Sequence, residues 1–232
     1  MRYGGQTGNV RERRYEMPVD LAALLGPHQH GGYDPTWRRT GDGAFWMTKR
    51  TPDGPGTLRL TRHGGQAWGA GASWLLDSLP GLVGADDDLS GFTVHHEVLK
   101  GLAVPRIGRS GLVFEALVPA VLEQKVVGRE AWRAWRYLLR KYGTQPPGPA
   151  PEGMRVMPEP EVWRQIPAWD WHRAGAEAVR ARTIATAPPG TRPSWRPPPT
   201  PPRSTACCGR CPASGCGRRR RFGSAASVTL TR

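Results

Sequence analysis

Four clusters of chemically capable side chains stand out along the chain. All four cysteines, Cys207, Cys208, Cys211 and Cys216, lie close together near the C-terminal end. Cys208 and Cys211 give the C-x2-C step of half a zinc knuckle, but the other half is missing and no His follows. His28 and His30 are two apart, yet no Cys or carboxylate is spaced to complete a metal site, so Pro27 to Gly32 reads as a turn-rich surface loop. Asp86, Asp87 and Asp88 lack the spacing of a calcium loop. With Leu89 to Phe92 they read as an electrostatic cap on the segment that follows. The pair His95 and His96 reads as surface or packing. The sequence therefore implies no metal and no cofactor, and no catalytic residue can be named from it.

The basic residues are better organised. Arg129, Arg133, Arg136 and Arg140 are spaced 4, 3 and 4 apart, which keeps them on one side of a helix. Such a stripe is either the solvated side of a packed helix or a surface that runs along phosphates. On the second reading Arg129 and Arg133 are the phosphate contacts. Trp169 and Trp171 could stack on bases, an interaction of roughly 1–3 kcal/mol per base. Core packing is the favoured reading, because their segment joins two helices, and the substrate pocket is the alternative.

These residues need a scaffold, and Val113 to Tyr142 is its centre. Val113, Leu117, Val121 and Leu122 recur at helical spacing. Pro119 lies inside that run, which predicts a kink or a late helix start. Gly128 interrupts the pattern. Beyond it, Trp132, Trp135, Leu139 and Tyr142 form the expected apolar face of a second helix. Upstream, Ala44 to Thr48, Thr57 to Arg62 and Gln66 to Ala70 read as strands separated by Pro/Gly/Asp turns. Ser73 to Leu79 reads as a short helix capped by Ser73 and stopped by Pro80. Downstream come a Pro/Gly-rich loop over 143–158, a short helix over Pro160 to Ile166 ended by Pro167, and a further helix over Arg173 to Ile184.

Phe114-Glu115-Ala116-Leu117, Ala120 to Val126 and the helix after Gly128 resemble the helix-hairpin-helix DNA glycosylases, within them the 3-methyladenine glycosylase II type. The resemblance runs to about Ile184. It implies a small α/β domain ahead of the helical domain and a loop after Gln124 that faces DNA. It makes Gln124 a DNA contact and sets Lys125 where relatives place the side chain that fills the gap left by a flipped base. Relatives often use an apolar residue there, so Lys125 departs from the pattern. The implied activity is excision of alkylated purines: the damaged nucleotide is flipped out of the duplex and an ionised Asp supports the developing oxocarbenium charge. No lysine nucleophile and no strand cleavage are implied.

The family motif PGIGxWTA, whose backbone N–H groups hold a phosphate, and the catalytic Asp beyond it are absent from this sequence. Where they are due, the chain reads Cys208-Gly209-Arg210-Cys211-Pro212-Ala213-Ser214-Gly215-Cys216-Gly217, followed by Arg218 to Arg221. With GC-rich codons and the frame moved back one base, this segment can read LRAVPGIGVWTAAE. Each shifted codon takes two bases from a tail codon and leaves one free. The expectation is that residues from about 185 onward are a frameshift product, and that the shifted frame reaches the catalytic Asp only beyond this chain. The cysteine spacing also lacks the C-x6-C-x2-C-x5-C pattern of the family's iron–sulfur members.

Composition agrees with a break near 185. The chain has 232 residues and a net charge of +14. Residues 185–232 contain nine Arg, nine Pro and all the cysteines, with no Lys, Asp or Glu. No apolar run is long enough for a membrane span, and the N-terminus shows no secretory signal, which reads as cytoplasmic. The fold class expected is α+β. Residues 1–36 form an N-terminal segment and 37–92 a small α/β sheet domain. Residues 93–184 form an incomplete all-α helix-hairpin-helix domain, and 185–232 a disordered tail. The missing hairpin should leave apolar surface open on Val113 to Tyr142. The partner implied is double-stranded DNA with damaged bases, bound by a monomer. A second reading is a non-catalytic nucleic-acid-binding protein that uses the Arg-rich helix and tail.

Overall fold

The computed structural model describes residues 11–14, 20–102 and 106–187. The tail from Pro188 onward, with its cysteines and shifted-frame motif, lies outside the described residues. Five antiparallel strands form one sheet in the order β1-β5-β4-β3-β2: β1 Arg11–Arg14, β2 Trp37–Arg39, β3 Phe45–Thr51, β4 Gly54–Thr61 and β5 Gly64–Trp68. Thr51 pairs with Gly54 and Thr61 with Gly64. Each hairpin therefore turns through two residues, Pro52-Asp53 and Arg62-His63, a length that suits the twist of paired strands. The N-terminal segment is part of the fold rather than a lead-in, since β1 completes one sheet edge and α1 (Leu21–Leu25) enters the core.

Alternation along the strands sends Phe45, Met47, Leu58, Leu60 and Ala67 to one face. There they pack on Leu21 and Leu25 of α1, on Leu75 and Leu76 of α2 (Ala72–Asp77), and on Leu79 and Leu82 of α3 (Leu79–Leu82). The expected helix over Ser73 to Leu79 is thus two short ones. Pro80 sits in the first turn of α3, where its missing N–H is no loss, so it starts a helix as well as ending one.

The other face of the sheet is covered too. Trp46 and Trp68 stack with ring centroids 5.5 Å apart, and Met154 from the Pro/Gly-rich loop closes over them. That loop is a strap tied down along its length. The Thr48 hydroxyl donates to the Arg155 carbonyl at 2.6 Å, and the Arg155 N–H donates to the Pro35 carbonyl at 2.7 Å. Thr144 and Val156 pair across its base.

The helices form a second core. α4 (Val113–Leu122), α5 (Gly128–Tyr142), α6 (Pro160–Gln165), α7 (Ala168–Ala174) and α8 (Ala178–Thr186) bury Val118, Val121, Leu122, Trp135, Leu138, Leu139, Trp163, Trp171 and Ile184 together. α4 begins at Val113 and runs through Pro119, so the helix does not start late. The buried stripe of α5 is Ala131, Ala134, Trp135, Leu138 and Leu139. Trp132 and Tyr142 flank it, half-buried, because two alanines let α5 approach its neighbours closely. The segment holding Trp169 and Trp171 is itself the helix α7. It ends at Gly175, whose φ of 84° is the left-handed C-cap conformation.

Charged groups join sheet to helices. Lys49 pairs with Glu115 at 3.1 Å. Arg50 reaches the Met157 carbonyl at 2.9 Å, Glu159 at 2.8 Å and the Thr144 hydroxyl at 3.0 Å. Within the helices, Asp170 is 1 % exposed and accepts from Tyr137 at 2.8 Å, Lys141 at 2.6 Å and the Tyr142 hydroxyl. The Lys141 and Tyr142 bonds hold its carboxyl down to about 2. Among the described residues no helix is long and apolar enough to cross a membrane.

Candidate nucleic-acid interface

The turn between α4 and α5, Glu123 to Val127, gathers the residues singled out by sequence. Gln124 and Lys125 are exposed at its tip. Lys125 has φ 56°, a left-handed conformation that few residues other than glycine adopt. Such conformations persist only where the surroundings over-determine them, and they cluster at binding sites. α5 then starts at Gly128 with Val127 as its N-cap and no side-chain cap. The positive end of a 15-residue helix therefore opens beside Lys125.

The turn is held from several directions. Glu123 accepts from His30 Nδ1 and from Trp132 Nε1, each at 3.3 Å. A carboxylate oxygen only accepts, so in this geometry His30 carries its proton on Nδ1. Glycines make room for the Trp132 indole beside Glu123. A Cβ on Gly31 would lie 2.4 Å from the ring, and one on Gly128 3.0 Å. From α8, Arg180 Nε donates to the Gln124 carbonyl at 3.2 Å.

His28 and His30 thus do not sit on a free surface loop. Their segment is packed into the seam between β3, α4 and α5. The His30 ring meets Trp135 edge-on at 5.4 Å, and the His30 backbone N–H donates to buried Asp34 at 2.7 Å. Asp34 also accepts from the Thr36 N–H and hydroxyl and from Trp135 Nε1 at 3.0 Å. His28 lines a cavity of about 200 Å³ with Lys49, Glu115 and Trp135. Burial, then Lys49, lower its pKa to about 4, so its ring is neutral at pH 7.

The basic stripe on α5 divides by role. Among the described residues, Arg129 and Arg140 are exposed with no hydrogen-bond or ion-pair partner. Arg133 is exposed, but Nη2 donates to the Arg173 carbonyl at 3.3 Å, near the end of α7. Arg136 is half-buried and donates to the Gly32 carbonyl at 3.0 Å. Arg129 therefore lies with Lys125 and Gln124 as free polar surface, while Arg133 also braces α7.

Trp169 and Trp171 line one groove of about 660 Å³ between α6, α7 and α8, with Trp163, Ile166, Ala178 and Ala181. Only Trp169 is open, at 69 % exposure. Trp171 is a correction to the stacking expectation. It is buried against Trp163 with centroids 5.8 Å apart, so it is core and cannot also stack on a base. The uncovered apolar surface is likewise displaced. On Val113 to Tyr142 the exposed large apolar residues are Val113 and Val127, since α5, α7 and α8 cover the rest. Trp169 and Val179 are exposed on α7 and α8, and Phe92, Val98, Leu99, Leu102 and Ile107 in the segment ahead of α4.

The acidic run is a staple. Asp87 accepts from the Ile107 N–H at 2.8 Å, and Asp86 pairs with Arg109 at 3.4 Å. Asp88 does cap the adjoining turn, accepting from the Ser90 N–H at 2.9 Å. The His96 ring accepts from the Val98 N–H at 3.3 Å. Among the described residues no group of three His, Cys, Asp or Glu side chains is placed to hold a metal ion.

With this geometry in hand, the fold can be set beside solved structures. It is similar to a 3-methyladenine DNA glycosylase from Archaeoglobus fulgidus, with a TM-score of 0.51 and 13% identity, over 75% of this chain and 65% of that one. MBOgg1 in complex with a low-affinity DNA ligand aligns with a TM-score of 0.49 and 16% identity, over 78% of this chain and 64% of that one. An 8-oxoguanine glycosylase/lyase from Clostridium acetobutylicum, in complex with double-stranded DNA, gives 0.47 and 12%, over 76% and 62%. The chain spans just under two thirds of the length of each. No protein-family model and no curated protein matches the chain. At these identities the likeness is one of fold: a mixed α+β arrangement shared with the glycosylase from Archaeoglobus.

Proposed function

We propose that this chain is a DNA glycosylase scaffold of the 3-methyladenine type that grips double-stranded DNA at a damaged base through the α4–α5 turn. The observation that carries the reading is the turn itself. Gln124 and left-handed Lys125 project beside partnerless Arg129, held from behind by His30, Trp132 and Arg180. A rigid, cationic, exposed projection next to a helix N-terminus suits a phosphate backbone, which supplies most of non-specific affinity. The sequence resemblance and the fold likeness support the choice of glycosylase over other nucleic-acid binders.

The chemistry of such a scaffold is flipping of the damaged nucleotide and hydrolysis of its N-glycosidic bond. An alkylated purine such as 3-methyladenine is cationic in the duplex and leaves readily, so electrostatic support from an ionised Asp suffices. No residue of the resemblance marks that Asp in this sequence. As written, the chain binds without excising, and the frame-restored chain excises.

Fluorescence anisotropy on a duplex holding an abasic analogue, run beside a base-release assay on methylated DNA, tests both parts. Binding without release is the expected result. Release by the chain as written overturns the inactive reading. Failure to bind the duplex overturns the scaffold reading itself. The Arg-rich tail supports a second reading, a nucleic-acid binder that works through 185–232. Equal affinity after deletion of that segment removes it.

A further inference from the structure

We propose that Arg180 is a positioning residue for duplex binding: it sets the conformation of the α4–α5 turn without touching DNA itself. The proposal rests on the DNA-gripping reading of that turn. Arg180 is 7 % exposed, on a helix anchored in the core by Ile184. A buried guanidinium needs acceptors, and among the described residues it has one hydrogen-bond acceptor, the Gln124 carbonyl at 3.2 Å from Nε. Its charge partner, Glu177, is one turn earlier on α8, at 3.7 Å and largely exposed. Beside that ion pair, the Gln124 carbonyl is the one hydrogen-bond acceptor that offsets burial of the guanidinium.

That contact sits where it has most leverage. The Gln124 carbonyl belongs to the same planar peptide unit as the Lys125 N–H. Gripping the plane fixes the direction from which the Lys125 φ rotation starts. Lys125 at φ 56° is the strained residue of the turn. Glu123, held by His30 and Trp132, fixes the residue before this peptide. Arg180 fixes the peptide itself. Without it the turn samples ordinary right-handed conformations, and the apparent affinity falls by the fraction of time the competent form is lost.

The test uses the full chain with Arg180→Gln and Arg180→Lys, and has two arms. In the first, hydrogen exchange is followed without DNA. Both variants should exchange faster at the amides of Glu123 and Gln124, which donate to the Pro119 and Val121 carbonyls, while the α5 amides from Ala134 to Leu139 keep wild-type protection. In the second, a short duplex is titrated across a salt series. Arg180→Gln should weaken binding about tenfold at every salt concentration, with an unchanged slope of log affinity against log salt. Lys125→Ala, a direct phosphate candidate, should instead lower that slope by about 0.9. If Arg180→Gln lowers the slope as Lys125→Ala does, Arg180 touches phosphate and the proposal is wrong. Wild-type exchange in the turn of Arg180→Lys also overturns it, since that variant keeps the charge and lacks Nε. Should Arg180→Gln lose protection throughout the helices, Arg180→Lys decides in both arms. If the wild-type chain does not bind duplex, the DNA-gripping reading fails, and the exchange arm still decides whether Arg180 holds the turn.

Discussion

The α4–α5 turn and the α6–α8 groove are both open to solvent, yet they are built in opposite ways. At the turn, exposed polar groups stand on a dense set of hydrogen bonds from the N-terminal loop, α5 and α8. At the groove, an exposed tryptophan stands on an apolar floor of Trp163 and Trp171, and among the described residues its indole makes no hydrogen bond. Exposure alone would rank the two surfaces alike. The supports behind them separate a surface shaped for a charged, hydrated partner from one shaped for apolar contact. Strain tells the same story, since the left-handed Lys125 lies in the turn.

The largest effect that would sharpen this contrast lies under the groove. Trp163 is fully buried there, and its indole donates to the Pro158 carbonyl at 3.2 Å. Trp163→Ala should cost about 3–5 kcal/mol, lowering the thermal midpoint by roughly 10 °C for a chain of this size. A midpoint within a couple of degrees of wild type would mean that the groove floor is not part of the core.

Next come the cations of the turn. Lys125→Ala and Arg129→Ala should each weaken duplex binding uniformly across sequences and reduce the salt slope by about 1. Neither should move the thermal midpoint, because both side chains are exposed. If Arg140→Ala, further along the same helix, gives the larger change, the grip is centred on the helix rather than on the turn.

A smaller effect is expected from acid. His28 stands in the loop that supports the turn, and its folded pKa of about 4 lies below the ordinary value of 6.5. Between those values the unfolded chain binds more protons than the folded one, so stability rises with pH through this window and falls on acidification. Urea midpoints from pH 7 to pH 4.5 should drop in the wild-type chain and drop less in His28→Gln. Equal slopes would show that His28 gains no shelter from the seam.

The smallest change is expected at the groove rim. Trp169→Ser removes an exposed indole and should alter stability by no more than about 0.5 kcal/mol. A large loss of stability instead would place Trp169 in the core and blur the difference between the two surfaces.

Much of the scaffold was legible in the sequence, because local periodicity carries it. The helices on either side of Gly128, the three strands β3, β4 and β5, and the Pro167 boundary follow from spacing and turn chemistry, although β4 and β5 start at Gly54 and Gly64, inside the segments read as turns. What sequence reasoning missed depends on contacts between distant residues. Nothing in the pattern of Pro27 to Gly32 indicates that His30 meets Glu123, or that Gly31 makes room for Trp132. Arg180 looks like any cation near a helix end until its burial is seen. The left-handed Lys125 had no signal, since Asn or Gly would be the usual marker. The stripe of α5 was misread by one step because alanines carry little apolar weight in a helical pattern, although they permit the closest packing. Trp171 was ambiguous because a tryptophan suits both a core and a base platform.

The strap over the sheet has a consequence for synthesis. Met154 leaves the ribosome 108 residues after Trp46, the indole it covers. At about 5–20 residues per second that interval is roughly 5–20 s. Once Trp68 has been made, with 86 residues still to go before Met154, the nascent sheet can pair its strands but cannot close its second face. The stacked pair of Trp46 and Trp68 is then a ready surface for a chaperone or for a neighbouring nascent chain on the same message. Slow codons between the sheet and the strap would lengthen that exposure, and fast ones would shorten it.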